Sequence, residues 1–289
     1  MCYNERMSTT ITLKLTPKQE EKLYAAFADT ASSAPAYAKW QIRPENCVIT
    51  CYESGKTVFQ GKDAEVYASA FTAAPAKDIL PQAGSDEVGT GDYFGPVCVC
   101  AAIVNKDNYQ TAIDLGARDS KALTDEKILQ IAPPLMEALP HSLLIVNNAK
   151  YNQVHDHNNM NAIKAKLHNQ AYVNLSKKEA LPDFRVIDQF APEHLYYAYV
   201  KDEPKVIGGI HFETKAEDKY IAVGAASVIA RYAFLKSMDA MSEQYEMEFP
   251  KGAGKDVDAF AAKFVEQYGF DELYKTAKVH FKNTDKLKD

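Results

Sequence analysis

Residues 84–104 read GSDEVGTGDYFGPVCVCAAIV. A short extended run, SDEV, leads into a turn with glycines at 89, 91 and 95, followed by a run of small and β-branched residues. Both runs have strand character. The segment therefore predicts an antiparallel pair joined by a glycine-rich turn, with Asp86 and Glu87 beside it. Glycine turns often cradle phosphate, but two phosphate-loop readings fail. A dinucleotide fingerprint opens a helix with GxGxxG, whereas the spacing here is Gly89-x-Gly91-x-x-x-Gly95 and Pro96 leads into a strand. A P-loop closes on a Lys-Ser/Thr pair, which this turn lacks. Two readings remain: a hairpin loop with solvated acids, or a site where carboxylates recruit divalent cations to a phosphodiester. Mg²⁺ suits the second, since it is held by a few carboxylates, water and substrate phosphate oxygens.

That second reading needs further acids. FRVIDQF (184–190) places Asp188 at the C-terminal end of an apolar strand, the usual mouth of an open α/β sheet. The bland alternative is a cap or ion-pair partner in the following loop. HFETKAEDKYIAVGAASVIARY (211–232) offers Glu213, Glu217 and Asp218 just before a helix, and spacing alone does not choose among them.

Outward from the turn, TAAPAKDILPQAG combines small residues with two prolines. It reads as a linker over about 72–83, dividing a unit of residues 1–80 from one of residues 84–289. The first unit reads strand, helix, two strands around the turn ESGK (53–56), then a second helix: a small α+β domain. Thr16 and Pro17 suit the N-cap and first position of its first helix. In the second unit, strands come first and then alternate with helices, which gives a mixed α/β sheet. The sequence predicts a helix from about Thr124 that is broken or ends near Pro133-Pro134, a long one over 158–180, one over 219–247, and one over 257–268 that stops at Gly269.

The 289 residues carry 46% hydrophobic and 25% charged side chains, enough apolar material for a sizeable core. No apolar run approaches the roughly 18–20 residues that span a bilayer, and the start MCYNERMSTTITLKL lacks a signal-like apolar stretch. A cytoplasmic protein with no membrane association is the expectation. Of the five cysteines, 47, 51, 98 and 100 fall in strand-like runs and read as small core residues rather than thiolate ligands. The net charge is −6, with 9 bases and 9 acids in residues 1–80. A global basic footprint for nucleic acid is therefore absent, and binding would rely on local lysines, backbone donors or metal.

GSDEVGTGDYFGP, RDSKALTDEK (118–127), MNAIKAKLHNQA (160–171), VIDQF and ETKAEDKYIAVGAASVIARY stand in one order across most of residues 48–247. Together they resemble the ribonuclease HIII family, bacterial type 2 ribonucleases H. The resemblance implies a ribonuclease H-like mixed sheet flanked by helices, preceded by a substrate-binding domain similar to the TATA-binding-protein fold. It implies endonucleolytic cleavage of the RNA strand of RNA–DNA hybrids with Mg²⁺, or Mn²⁺ as substitute, and a monomer as the usual form. Carried onto this sequence, the four metal-binding, catalytic acids fall on Asp86, Glu87, Asp188 and Glu217, with Glu217 chosen over Asp218 and Glu213 by the pattern of an acid before a small-residue helix start. Gly224 stands where that pattern commonly has alanine. The family's DSK motif falls on residues 119–121, so Ser120 and Lys121 become phosphate-contact candidates, against a helix-entry turn capped by Asp119 or Thr124. Related ribonuclease HII enzymes carry GRG in the turn and act at ribonucleotide–DNA junctions. Gly89-Thr90-Gly91 lacks that arginine, which implies poor activity at a single embedded ribonucleotide.

The chemistry predicts two cations around the scissile phosphate, in-line attack by water, and 5′-phosphate and 3′-hydroxyl products. The 2′-OH distinguishes the two sugars, and the backbone of Gly89, Thr90 and Gly91 is the candidate sensor. Asn161, Lys164 and His168 share one helix face, with a solvated face as the default and a substrate contact through Lys164 as the alternative. Lys39, Trp40, Lys56, Gln60 and Lys62 could form a hybrid-binding surface in the first unit, although Trp40 suits a core. His155 and His157 lack a third ligand for a metal. The rivals are a hybrid-binding module without catalysis and a metal nuclease for DNA or structured RNA.

Overall fold

The computed structural model describes residues 9–15, 17–69, 79–120 and 123–287. The chain divides into two compact units, Met1–Ala74 and Pro75–Asp289. In the first, β1 (Thr9–Lys14) precedes α1 (Pro17–Ala26), then β2 (Ala31–Ser32), β3 (Ala38–Ile42), β4 (Cys47–Tyr52), β5 (Lys56–Gly61) and α2 (Ala64–Ser69). The strands form an antiparallel sheet in the order β1-β5-β4-β3-β2. Alternation sets its faces: Ile11, Leu13, Ile49 and Phe59 join Leu23 and Ala68 in the core, while Thr10, Thr12, Lys14, Lys56 and Gln60 are exposed. Pro17 opens α1, where its missing N–H costs no helical bond; Thr16 lies outside the described residues. Trp40 is half-buried and packs against the edge of this core, its ring 5.4 Å from that of Tyr24.

The second unit runs β6 (Gln82–Val88), β7 (Val97–Val104), α3 (Tyr109–Asp114), α4 (Asp125–Ala138), β8 (His141–Val146), α5 (Asn148–His155), α6 (Met160–Leu175), β9 (Phe184–Asp188), α7 (Glu193–Val200), β10 (Ile210–Glu213), α8 (Ile221–Tyr245), α9 (Lys255–Thr276) and α10 (Lys282–Asp285). The sheet order is β10-β9-β6-β7-β8. β6 pairs antiparallel with β7 and parallel with β9, giving the mixed sheet expected. Its first residue is Gln82, so the strand begins inside the stretch read as linker.

Two cores form on the two faces of this sheet. One gathers residues of α3, α4, α8 and α9, and the other those of α5, α6 and α7. Helix α8 is long and apolar enough by composition to cross a bilayer, contrary to the sequence expectation, but most of that stretch is buried inside the fold. Its closeness to β6 depends on Gly84: a Cβ there would lie 2.3 Å from the Val223 backbone nitrogen. Gly224 is required for a similar reason, since a Cβ would meet the Ala117 carbonyl at 2.2 Å. The departure from alanine is therefore a packing feature.

Two helix ends differ from the sequence expectation. α4 continues through Pro133 and Pro134 to Ala138. The prolines withhold N–H groups from the Leu129 and Gln130 carbonyls, but Ile128, Ile131, Ala132 and Leu135 are buried and hold the helix in place. Gln130 is exposed, so water can serve its carbonyl. In α9, Gly269 (φ 81°, ψ 172°) leaves the helical conformation, so the first helical run ends there as expected and a second follows to Thr276. Helix α6 stops at Leu175, short of the predicted 180.

Candidate active site

Register places the acids. Ser85 of β6 pairs with Ile187 of β9, so Asp86 and Asp188 occupy the next position along two parallel neighbours. Successive side chains on a strand alternate in face. Gln82 and Gly84 meet α8, with the Ala222 N–H donating to Gln82 Oε1 at 3.0 Å. Asp86 shares that face. Val186 packs with Ala216, Tyr220 and Val223, so Asp188 faces α8 as well. The 3-10 turn Ala216–Asp218 carries Glu217, which is buried at 6% exposure. The Ala216 N–H donates to Asp188 Oδ1 at 3.0 Å and ties that turn to the end of β9.

Glu87 points the other way, toward α6. Its carboxylate receives Lys164 on one oxygen and lies 2.8 Å from His168 Nε2 on the other. His168 is fully buried, and its Nδ1 lies 2.6 Å from Ser85 Oγ. Nε2–H donates to Glu87, while Ser85 Oγ donates to Nδ1 of a neutral ring or accepts from Nδ1–H of a charged one. The solvated-face reading of Asn161, Lys164 and His168 is thus reversed for the last two. Lys164 also lies 4.2 Å from the centre of the Phe190 ring. The spacing of 164 and 168 was visible in the sequence, but the strand residue they face was not.

The electrostatics follow this division. Burial pushes the Asp86 carboxyl up, and the charges of Glu87 and Asp188 add to the effect. Hydrogen bonds from Ser227 and the Glu87 N–H oppose them, and the group rises to about 7. Burial also pushes Glu87 up, but its bonds and charge interactions with His168 and Lys164 outweigh that and hold it below the ordinary value. Glu213 is engaged by Lys219 and by His211 at 3.5 Å, while Asp218 is exposed. Of the three acids Glu217 is thus the most buried, and its neighbour Ala216 ties its turn to Asp188.

The donor set consists of hard carboxylate oxygens at a sheet end, the chemistry that Mg²⁺ and Mn²⁺ prefer. Crowding that raises Asp86 is relieved when a cation arrives, so the residues fit such an ion. Among the described residues no three acids, histidines or cysteines close into a cation cage. His155 stacks on His280 at 3.8 Å and joins no such cage.

The glycine turn lies beside these acids. Gly89 is buried with φ 93°, and a Cβ would lie 2.2 Å from the Pro96 carbonyl. Gly91 is exposed with open space around it, and Thr90 is partly exposed. Ser120 is buried at 4% exposure and its hydroxyl has no hydrogen-bond partner among the described residues. Its carbonyl accepts from Arg231, which also bonds the Leu123 carbonyl and Asp125. Lys121 lies outside the described residues. Lys56 is exposed opposite Lys14 in the first unit, and Lys62 is exposed just after β5. Sequence reasoning missed His168 as a partner of Glu87, as well as Ser85, Ser227 and the arginine behind the 118–124 loop.

A mixed sheet with acids at its strand ends and helices on both faces defines a metal-dependent nuclease of the ribonuclease H class once its relatives are considered. The family model "Ribonuclease HII" matches residues 83–284, and "Domain of unknown function (DUF3378)" matches residues 10–79. Ribonuclease HIII of Listeria monocytogenes serotype 4b is 40% identical, covering 97% of this chain and 98% of its own. Ribonuclease HIII of Bacillus licheniformis is also 40% identical, with 96% of both chains covered. Among solved structures, Bst-RNase HIII in complex with Mn²⁺ is 36% identical with a TM-score of 0.71, covering 96% of this chain and 98% of that one. The chain belongs to the ribonuclease HIII family. It is accordingly an endoribonuclease of the ribonuclease H type that uses a divalent metal and acts on RNA–DNA hybrids.

Proposed function

We propose that the enzyme hydrolyses the RNA strand of RNA–DNA hybrids with two divalent ions held by Asp86, Glu87, Asp188 and Glu217, leaving 5′-phosphate and 3′-hydroxyl ends. The observation that carries this is the placing of Asp86 and Asp188 at the same position of neighbouring parallel strands, both facing α8, with the turn that carries Glu217 bonded to Asp188. When bound, divalent cations supply a more acidic water and a counter-charge for the departing 3′ oxygen. Asp86 loses its proton to join the site. Asp188 is held in orientation by the Ala216 N–H. Glu87 is kept ionised by His168 and Lys164.

The exposed outer edge of the turn, Thr90 and Gly91, brings backbone amides to the RNA strand, where the 2′-OH identifies ribose. The absence of an arginine in Gly89-Thr90-Gly91 favours hybrid tracts over single junctions. The open face of the first unit's sheet, with Lys14, Lys56, Gln60 and Lys62, is suited to phosphate and sugar contacts. Labelled RNA–DNA hybrid, duplex RNA, duplex DNA and DNA bearing one ribonucleotide test the reading, each with and without Mg²⁺. Metal-dependent cleavage of the hybrid alone is expected. Efficient cutting at the lone ribonucleotide contradicts the junction claim, and cleavage of duplex DNA contradicts the substrate claim.

A further inference from the structure

The glycine turn is built differently on its two sides. On the inner side, Gly89 and Gly95 have φ of 93° and 83°, and a Cβ at Gly95 would come within 2.5 Å of Met238 Sδ. On the outer side Gly91 has open space. This curvature turns the carbonyls of Asp92 and Gly95 into the protein, where a carbonyl without a donor is costly.

One side chain meets both. Lys278 is fully buried. Its Nζ donates to the Asp92 carbonyl at 2.8 Å and to the Gly95 carbonyl at 2.5 Å. Its backbone N–H donates to the Tyr93 carbonyl at 2.8 Å. Asn148 Nδ2 adds a bond to the Gly95 carbonyl at 2.9 Å, and the Gly95 N–H donates to the Thr276 carbonyl at 3.0 Å. The segment before α10 is thereby fastened to the turn at residues 92, 93 and 95.

A buried ammonium is an expensive way to satisfy two carbonyls. The Asp92 carboxylate accepts from the Gly252 N–H at 2.6 Å, so carbonyls are the partners that Nζ bonds. Burial lowers the lysine to about 8 against the opposing fields of Asp92 and Cys98. A neutral amide would be cheaper to bury. The ammonium differs in its reach and in its three donors on one centre, which let a single group bridge both ends of the turn.

We propose that Lys278 is a positioning residue that sets the curvature of the 89–95 turn, and with it the presentation of Gly89-Thr90-Gly91 to the ribose of the RNA strand. This rests on the reading above that the turn meets the RNA sugar. Lys278 bonds the turn and not the four acids, so its loss acts on substrate recognition and leaves metal affinity alone.

The test compares the full chain as wild type, Lys278→Met, Lys278→Gln and Asn148→Ala. Hydrolysis of an RNA–DNA hybrid gives KM and kcat. Anisotropy without divalent metal gives affinities for the hybrid and for duplex DNA, calorimetry gives Mn²⁺ affinity, and thermal melts report folding. Lys278→Met is expected to raise KM about tenfold and to reduce the hybrid-to-DNA affinity ratio several-fold, with kcat within about threefold and Mn²⁺ affinity unchanged. Asn148→Ala and Lys278→Gln, which each retain part of the clamp, are expected to shift KM less in the same direction, and they carry the test if the methionine variant does not fold. A lowered melting temperature with KM and discrimination unchanged overturns the proposal, as does a fall in kcat and Mn²⁺ affinity at constant KM. A wild type with no preference for hybrid removes the underlying reading of the turn, whereas an equal preference in wild type and variants removes only the role of Lys278.

Discussion

Asp86 and Glu87 are neighbours in sequence, yet their carboxylates lie on opposite faces of the sheet. Asp86 faces α8 with Ser227 nearby, and Glu87 faces α6, where His168 and Lys164 hold it. The same two charges are therefore treated oppositely, one raised and one lowered.

The raised Asp86 makes stability depend on pH. Its folded value of about 7 exceeds its ordinary value of 3.8, so the folded state binds the extra proton between those limits. The contribution is fully present below about 4 and is lost as pH rises through 7. Asp86→Asn removes the penalty of an ionised buried acid. In metal-free protein it should stabilise by roughly 1–3 kcal/mol at pH 8, with the gain fading toward pH 4. Melts at both pH values with chelator present check this. Mn²⁺ should raise the melting temperature of the wild type and not of the variant.

His168→Ala should destabilise the protein by about 1–3 kcal/mol, because it strips buried partners from Ser85 and Glu87 at once. Glu87 is lowered in the folded state, so its contribution is present above the ordinary value of 4.5 and is lost as pH falls through the lower folded value. The destabilisation should accordingly be greater at pH 7 than at pH 3. Denaturant titrations at the two values measure it, and an equal loss at both would show that His168 acts by packing alone.

Two glycines should respond in opposite ways. A Cβ at Gly84 collides with the α8 backbone, so Gly84→Ala forces strand and helix apart, at about 2–3 kcal/mol. Gly91→Ala meets open space and should leave stability within about 0.5 kcal/mol, while perturbing substrate through the face it presents. Stability and hybrid KM measured on both variants separate a packing glycine from a presenting one.

Lys14, Lys56 and Lys62 lie in the first unit with exposed side chains. If they meet phosphates, replacing each with alanine weakens hybrid affinity across sequences and reduces the salt slope by roughly 0.9 per contact on a B-form scale. Affinity measured from low to moderate salt checks this, and an unchanged slope in the triple variant would remove the first unit's lysines from the interface.

Much of this was legible in the sequence for local reasons. Strand-like runs joined by a glycine turn marked β6 and β7, and an apolar run ending in an acid marked β9 and Asp188. Pro133-Pro134 misled because local propensity was outweighed by the buried residues Ile128, Ile131, Ala132 and Leu135, which kept α4 helical. His168 and Lys278 were illegible for another reason. A histidine on a polar helix face and a lysine near the end of the chain look solvated until the fold brings them to Glu87 and to the Gly95 carbonyl, across 81 and 183 residues.

The central claim is that carboxylates at the strand ends cut the hybrid through bound metal, and Asp188→Asn tests it most directly. Cleavage of the RNA strand in a labelled hybrid with Mg²⁺ is measured beside hybrid affinity without metal. Cleavage is expected to fall by about 10²-fold or more with affinity within about threefold, because the amide keeps the shape of the side chain and loses its charge. Cleavage at the wild-type rate would contradict the account.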